Sequence, residues 1–333
     1  MLDPAVFYWF NGQGDLEGLL ACHVDDFLYG GSPWFEKSVI SEVRKEFVVG
    51  TEEENSFKYV GVNIQYNEGK ILFDQNFYAN NLEYIDLPKE RARQKDSVVT
   101  EQERKMMRAK IGQLLWLGRQ SRPDIIFDAC ELAGRVKDAK VKDLLDTNKV
   151  LKKAKSESVT LRFSKLQDPA MMVYSDASFG NLDNGGTQGG HFVCLQGKGG
   201  CISPLGWSSK KIRRVVRSTI AGETLAMADA LDTGFYLASL YTELLFGTPE
   251  PERLGIVCLT DCKSLYEAVK SNKAVTERRL RIEISAVKEA MDKLQVKEVT
   301  WISASDQLAD VLTKKGASPL KLLSVLENGL ITT

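Results

Sequence analysis

Residues 171–178 have the sequence MMVYSDAS, an apolar run typical of a β-strand that is followed at once by Asp176. A second run of the same kind, residues 255–260 (GIVCLT), is followed by Asp261. Strand ends and helix starts converge at one edge of an open α/β sheet, where such sheets usually bind their ligands. The sequence therefore predicts that Asp176 and Asp261 lie near each other.

Two more acidic residues stand at the ends of predicted elements. Glu223 lies in the first turns of a helix predicted over about 218–246, and Asp310 lies at the start of a last helix predicted after Ser305. Phosphodiester hydrolysis by two metal ions needs hard oxygen ligands clustered around ions about 4 Å apart. One such Asp alone is usually a turn or cap residue, so the hypothesis depends on all four residues together.

The pattern around these residues predicts an α/β domain with a mixed sheet and flanking helices. Strand-like and helical segments alternate from about Val159 onwards, which is the pattern of an α/β layer. Strands are expected at about 160–163, 171–175, 190–196, 205–209, 255–260 and 298–302. Helices are expected at about 218–246, 262–271 and 276–294, and after Ser305. We place the domain boundary between Ser156 and Pro169.

The first half of the chain predicts an α+β region followed by helices. Strands are expected at about 5–10, 17–22, 27–30, 57–66 and 70–74, with helices at about 32–47 and 76–84. Residues 100–155 have a helical pattern with a capping-box signature from Thr100 to Glu103 and a break at Pro123. Four residues on this stretch, Ile111, Leu114, Leu115 and Leu117, need an apolar partner, which we expect to be the C-terminal domain.

The overall charge does not indicate a nucleic-acid partner. Any evidence for such a partner must come from the positions of the basic residues. The chain has 44 Lys and Arg against 45 Asp and Glu, a formal net charge of −1. One basic run precedes the Glu223 helix: Lys210, Lys211, Arg213, Arg214 and Arg217. It is either a solvated turn or a strip that contacts phosphates beside the carboxylates.

The cysteines and the apolar runs exclude several other classes. None of the six cysteines has zinc-ligand spacing, which favours a reducing compartment. No apolar run approaches the roughly 18 residues of a membrane span, and no secretory signal is visible, so we expect no membrane partner.

Four ordered motifs in the second half resemble the ribonuclease H domain of copia-type LTR retrotransposons. The resemblance covers about 145 residues and is carried by residues 174–178, 206–223, 260–265 and 306–314. Residues 306–314 stand close to the family's D-Q-L-A-D-I-L-T-K ending, and residues 206–211 to its W-S-S-K-K block. In place of a block that usually carries a His, residues 279–284 have Arg281 near the His position.

This resemblance implies a metal-dependent endonuclease that cuts the RNA strand of RNA–DNA hybrids. By position, Asp176, Glu223, Asp261 and Asp310 would be the ligands of two Mg²⁺ ions, for which Mn²⁺ can substitute. The basic run, together with Ser218 and Arg281, would contact the hybrid. His191 and Trp207 are interpreted as structural residues, with stacking on nucleic acid as the alternative for Trp207.

The first half resembles the end of a copia-type reverse transcriptase. Residues 23–26 (HVDD) resemble the Y-V-D-D hairpin, residues 57–62 the F-L-G-I segment, and residues 111–125 the I-G-S-L-L-Y-L to T-R-P-D-I segment. Asp25 and Asp26 would then be metal ligands. The family's other metal-binding palm strand and the fingers would precede Met1, so we expect a truncated polymerase that extends no primer.

Together the motifs predict a C-terminal fragment of a copia-type (Pseudoviridae-like) Pol polyprotein with three parts. Residues 1–98 would be partial palm and the start of the thumb, 99–156 helical thumb and connection, and 157–333 the RNase H domain with its core at 171–315. Partners would be an RNA–DNA hybrid and the remaining polyprotein or a second chain. The location would be intracellular, cytoplasmic in a virus-like particle or nuclear.

Two alternative functions stay open from sequence alone. A domesticated or decayed copy would bind nucleic acid or protein without chemistry, although all four carboxylates are present. An integrase or Holliday-type nuclease would share the fold, but the motif texts match RNase H. Cleavage of a hybrid with and without magnesium separates these hypotheses.

Overall fold

The chain begins with a three-stranded antiparallel sheet in the computed structural model, which describes residues 2–271 and 278–331. Its strands, in spatial order, are β1 (Val6–Phe10), β2 (Leu16–His23) and β3 (Asp26–Gly31). The predicted helix follows as α1 (Pro33–Phe35), a π-helical turn (Glu36–Ile40) and α2 (Ser41–Glu46). Ser32 caps it by accepting a hydrogen bond from the Phe35 N–H.

A second antiparallel sheet has four strands in the order β4-β5-β6-β7. They are β4 (Ser56–Tyr59), β5 (Val62–Asn67), β6 (Lys70–Asp74) and β7 (Thr160–Ser164). The prediction of a single strand over 57–66 is wrong, because Val60 and Gly61 both adopt positive φ (47° and 77°) and turn the chain back. Strand β7 lies in residues 157–333, which the sequence assigns to the C-terminal domain, yet it pairs with β6.

A helical bundle lies between β6 and β7. Its helices are α3 (Asn76–Asn80), α4 (Lys89–Arg93), α5 (Glu101–Gln120), α6 (Pro123–Arg135) and α7 (Val141–Ser156). The capping box of Thr100 and Glu103 is confirmed at the start of α5. Helix α3 ends four residues before Tyr84, the predicted end, and the short α4 was not predicted.

The apolar face of α5 packs mainly inside this bundle. Ile111, Leu114 and Leu117 are buried together with residues of α6 and α7. Leu115 also contacts the core of the C-terminal region. The expectation that all four would pack against the C-terminal domain is therefore wrong for three of them, because α6 and α7 supply the nearer apolar surface.

A buried arginine at the start of α6 forms an ion pair with Asp124 of the same helix and hydrogen bonds to the end of α7. The Arg122 guanidinium donates from Nε and Nη2 to the two carboxylate oxygens of Asp124, at 2.8 and 2.9 Å. Its Nη1 donates to the carbonyls of Ala154 and Glu157 at 2.7 and 2.8 Å. Arg122 and Asp124 are each 1% exposed, so this paired charge is held away from water.

The C-terminal region contains a five-stranded mixed sheet in the order β10-β9-β8-β11-β12. Its strands are β8 (Ala170–Ser178), β9 (Gln188–Gln196), β10 (Ile202–Lys211), β11 (Ile256–Thr260) and β12 (Val296–Trp301). Strands β8, β9 and β10 are antiparallel, whereas β11 runs parallel to both β8 and β12. This is the predicted mixed sheet of an α/β domain.

Helices cover both faces of this sheet. The C-terminal helices are α8 (Thr219–Phe246), α9 (Lys263–Lys270), α10 (Arg278–Asp292) and α11 (Leu320–Asn328). Helices α8, α9 and α10 bury one face around Val173, Met227 and Ile256. The opposite face packs around Tyr174 and Phe192 against α11 and Ile126 of α6. The bundle thus completes the core of the C-terminal region.

Two predicted helices differ from those observed. The expected start of α10 at Thr276 lies outside the described residues. The predicted helix after Ser305 is instead two 3₁₀ turns, Ala304–Asp306 and Asp310–Leu312, before α11 begins at Leu320. Asp310 therefore starts a short turn rather than the last helix. After that turn, Thr313 and Lys314 both contact Asp176 of β8.

The N-terminal sheet and the bundle both contact the C-terminal region. Glu243 of α8 accepts hydrogen bonds from the Leu2 N–H at 2.8 Å and the Tyr8 hydroxyl at 3.3 Å. Trp207 of β10 donates from Nε1 to the Gly118 carbonyl of α5 at 2.7 Å. Trp207 is thus a partly buried structural residue, as predicted. Within the described ranges, no helix has the length and apolarity needed to cross a membrane.

Candidate metal centre

Three of the four predicted carboxylates meet at one edge of the five-stranded sheet. Asp176, Glu223 and Asp261 each contribute an oxygen, and these oxygens all lie within 4.8 Å of one another. The parallel register pairs Tyr174 of β8 with Leu259 of β11, so the residues two positions further along each chain emerge side by side. Asp176 lies within β8, which continues to Ser178, rather than at the strand end.

Close packing brings Glu223 onto the sheet. Gly222 lies in the first turns of α8, where a Cβ would come within 3.3 Å of Ala177 and Thr187 side-chain carbons. A side chain here would force these neighbours to shift by a few tenths of an ångström, so glycine lets the helix of Glu223 pack closely on β8 and β9. Ser218 caps this helix by accepting a hydrogen bond from the Ala221 N–H at 3.3 Å.

A second close approach brings the Asp310 segment over the same edge. A Cβ on Gly190 would lie 2.9 Å from both Leu312 Cβ and Thr313 Cγ2, so only glycine fits beneath this turn. The buried Gln307 side chain donates to the Ser175 carbonyl at 2.9 Å, and Ser209 donates to the Leu312 carbonyl at 2.6 Å. These two side chains were not identified from the sequence, because their partners are backbone carbonyls distant in the chain.

Asp310 is linked to the cluster through a lysine. The Lys314 ammonium lies 2.5 Å from Asp310 Oδ1 and 3.4 Å from Asp176 Oδ1. Thr313 donates its hydroxyl to the other oxygen of Asp176. Within the part of the chain that the structure describes, the cluster with metal-binding geometry contains Asp176, Glu223 and Asp261, and Asp310 lies outside it.

The electrostatics of the cluster fit a bound cation. Burial, and after it the charges of the nearby Asp176 and Asp261, together raise the pKa of Glu223 to about 9. Burial also raises the pKa of Asp176 to about 6, although Lys314 and Thr313 oppose this rise. Glu223 Oε2 is buried and has no hydrogen-bond partner. A divalent cation with oxygen ligands would satisfy that atom and offset the repulsion.

We predict that Glu223→Gln stabilises the metal-free protein at alkaline pH. A carboxyl whose pKa is raised by folding makes its full contribution to the free energy of unfolding below its ordinary pKa of 4.5. That contribution is lost as the pH rises towards the folded-state pKa of about 9. The variant should therefore equal the wild type near pH 4 and exceed it by at least ~1 kcal/mol at pH 8, in EDTA. Urea unfolding at the two pH values measures this difference.

The matched control for this prediction is Glu289→Gln on the exposed surface of α10. Glu289 forms an ion pair with Lys293 at 2.5 Å, so its replacement should not raise stability at any pH. A Glu223→Gln protein that unfolds more easily than the wild type at pH 8 would contradict the repulsion argument.

The predicted basic residues lie on one side of this edge, mostly exposed. Lys210 contacts Asp229, Lys211 lies 3.1 Å from Asn184 Oδ1, and Arg214 lies 2.5 Å from Glu283 Oε1. Arg213 and Arg217 are exposed, and no ion pair joins either of them to a described side chain. Arg281 is exposed on α10. These positions place a basic surface at the start of α8, the helix of Glu223.

The other predicted residues stand apart from the carboxylate cluster. Asp25 and Asp26 are exposed at the hairpin between β2 and β3, and among residues 2–271 and 278–331 no third metal-ligating side chain clusters with them. Val24 in that turn has a φ of 56°, an unusual conformation for a β-branched residue. His191 is buried in β9, 3.5 Å from Asp229, in agreement with a structural role.

Comparison with known proteins relates the chain to retroelements. No family model matches it. Over 108 residues it is 31% identical to a Ty5-1 transposon protein of Saccharomyces cerevisiae, a match covering 32% of this chain and 33% of the relative. The chain thus spans about a third of the length of the curated relative that it matches.

Solved structures with partial similarity include one reverse transcriptase and several RNases H. A foamy viral protease–reverse transcriptase in complex with an RNA/DNA hybrid aligns over 85% of this chain and 35% of its own, at 11% identity and a TM-score of 0.47. The N-terminal RNase H domain of a Mycobacterium tuberculosis protein aligns over 44% of this chain and 91% of its own, at 16% identity and a TM-score of 0.30. The RNase H1 of Halobacterium salinarum aligns over 43% of this chain and 94% of its own, at 15% identity and a TM-score of 0.30.

Proposed function

We propose that the C-terminal region is a metal-dependent ribonuclease H that cuts the RNA strand of RNA–DNA hybrids. The observation that carries this proposal is the convergence of Asp176, Glu223 and Asp261 within 4.8 Å at the edge of the mixed sheet. The unpartnered Glu223 oxygen beside them supports a cation rather than a neutral hydrogen-bond network.

The chain's own residues would hold the ions and position the substrate. Asp176, Glu223 and Asp261 would bind a divalent cation, Mg²⁺ or Mn²⁺, with Asp310 contributing to a second ion from the other side of Asp176. Bound ions of this kind activate water and stabilise charge on the phosphate. Because Asp176 and Glu223 are buried, their carboxylates are held rigidly and need little reorganisation when the ions bind.

The similarity to a Ty5-1 protein supports a retrotransposon origin. We propose that the chain is part of a copia-type Pol protein, in which β1–β3 and the bundle correspond to palm, thumb and connection. Its location would be intracellular, in a virus-like particle or the nucleus. The hairpin of Asp25 and Asp26 would be one part of a polymerase site.

A substrate panel tests the proposed function. Purified chain from a host lacking RNase H is incubated with Mg²⁺ and four labelled duplexes or strands: RNA–DNA hybrid, double-stranded RNA, double-stranded DNA and single-stranded RNA. We expect cleavage of the RNA strand of the hybrid alone. Equal cleavage of single-stranded RNA would indicate a different nuclease, and no cleavage of any substrate would favour a catalytically silent remnant.

We predict that hybrid binding depends on Arg213 and Arg217. These are the two residues of the basic run with neither an ion pair nor a side-chain hydrogen bond to a described residue, whereas Lys211 contacts Asn184, so their charges are available for phosphates. Changing both to Ala should weaken binding and reduce the slope of log affinity against log salt by about 1 to 2. Fluorescence anisotropy with a labelled hybrid, from 50 to 300 mM salt, measures the slope.

The matched control for the arginine pair changes two exposed lysines. Both lie near the ends of the strands that are far from the carboxylate cluster. Lys293 pairs with Glu289 at the end of α10, and Lys198 pairs with Asp168 before β10. The double change of Lys198 and Lys293 to Ala should leave the slope unaltered. An unchanged slope in the Arg213 and Arg217 variant would indicate that the basic run is a solvated surface that does not contact phosphates.

A further inference from the structure

The Lys314 ammonium lies between two of the carboxylates that the proposed function assigns to metal binding. Its ammonium lies between Asp310 Oδ1, at 2.5 Å, and Asp176 Oδ1, at 3.4 Å. The other oxygen of Asp176 already accepts the Thr313 hydroxyl. Both oxygens of the Asp176 carboxylate therefore contact donors from the Asp310 segment, and one of them also lies within 4.8 Å of the Glu223 and Asp261 oxygens.

The backbone fixes the lysine at this position. Thr313 is fully buried and packs against Gly190, where a side chain would not fit. The Lys314 N–H donates to the Asp310 carbonyl at 3.0 Å. The Lys314 side chain is 37% exposed, so it has an open path to solvent. The ammonium is thus placed by the chain but can leave the site without unfolding it.

We propose that Lys314 is a positioning residue that competes with the second metal ion for Asp176 and Asp310. This inference rests on the proposed function, because it assumes that the carboxylates bind metal. The first ion would be held by Asp176, Glu223 and Asp261. A second ion would have to displace the ammonium to use Asp310, so its binding would be weaker than the carboxylates alone would give. In the metal-free protein the same ammonium keeps Asp310 next to Asp176.

The consequence is a metal dependence in two stages. A unit positive charge within 4 Å of a divalent cation opposes its binding strongly, even where water screens the interaction. Removing the charge should therefore strengthen binding of the second ion by at least about tenfold. The first ion should gain less, because Lys314 forms ion pairs with Asp176 and Asp310 but none, among the described residues, with Glu223 or Asp261. A lysine with a purely structural role would reduce stability without raising metal affinity.

Mn²⁺ binding to the full chain without nucleic acid tests this proposal. The free-ion signal in electron paramagnetic resonance gives the stoichiometry and both dissociation constants. For Lys314→Gln we expect a second dissociation constant at least about tenfold lower than in the wild type. Lys314→Arg, which keeps the charge, should bind the second ion as weakly as the wild type does.

Lys315→Gln is the matched control. Lys315 is adjacent in sequence but lies 3.7 Å from Glu131 and 3.9 Å from Asp183, away from the carboxylate cluster. Its Mn²⁺ affinities should equal those of the wild type. If Lys314→Gln is unfolded without metal, added Mn²⁺ should restore its circular dichroism spectrum. A failure to restore it would overturn the proposal.

The outcomes separate this inference from the proposed function. Normal binding of the first ion with an unchanged second constant in Lys314→Gln overturns the role of Lys314 alone. Mn²⁺ binding that is absent in the wild type and in every variant overturns both the metal centre and the role of Lys314. Tighter second-ion binding in Lys314→Gln, with Lys314→Arg and Lys315→Gln unchanged, supports it.

Discussion

Asp261→Asn is expected to lower the rate of hybrid cleavage at least ~10²-fold, because loss of this proposed metal ligand would remove several kcal/mol of charge stabilisation. Asp261 follows β11 directly and lies within 4.8 Å of the Asp176 and Glu223 oxygens. Its backbone carbonyl accepts a hydrogen bond from Trp301 Nε1 at 3.0 Å, so the loop should keep its place in the variant. Single-turnover cleavage of a labelled hybrid measures the rate.

The control for this rate is Asp292→Asn, at the exposed end of α10. It removes the same charge at a position outside the carboxylate cluster, and its rate should remain within about twofold of the wild type. Thermal unfolding of both variants shows whether they are folded. Wild-type rates in a folded Asp261→Asn protein would mean that the cleavage arises elsewhere.

Arg122→Ala is expected to destabilise the protein by about 3–5 kcal/mol, since it leaves the buried Asp124 carboxylate without its partner. It also leaves the carbonyls of Ala154 and Glu157 without a donor where α7 ends. Because α6 packs on the five-stranded sheet, we expect the C-terminal region to lose stability together with the bundle. Urea unfolding followed by fluorescence measures the change.

Two further variants show whether the unpaired charge is the cause. Arg253→Ala removes an exposed arginine that pairs with Glu250, and it should leave the unfolding midpoint almost unchanged. The double variant Arg122→Met with Asp124→Leu removes both charges and should recover a large part of the loss. A single Arg122→Ala variant as stable as the wild type would show that the pair contributes little to the fold.

The sequence predicts the sheet and its carboxylates well because both depend on local patterns. Apolar runs before Asp176 and Asp261 predict strands, and parallel neighbours must then place their following residues side by side. Ser218 and the apolar pattern after it predict α8, and with it the position of Glu223. The Thr100 capping box is equally local and is confirmed.

The differences arise where distant segments decide the structure. Nothing near Lys314 in the sequence shows that its ammonium meets Asp176, because the turn that brings it there depends on the absence of a side chain at Gly190. The pairing of β7 with β6 joins residues about 90 positions apart. Val60 interrupts an apolar run with a positive φ that favours glycine, so the run alone predicted one strand where two exist.

Removal and return of the metal tests the central claim most directly. Purified chain is incubated with a hybrid labelled on the RNA strand, first in EDTA, and then after addition of excess Mg²⁺ to the same sample. We predict no cleavage in EDTA and rapid cleavage after Mg²⁺ is added, because in the proposed function Asp176, Glu223 and Asp261 would act only through a bound cation. Cleavage of the RNA strand at the same rate in EDTA would contradict the metal centre.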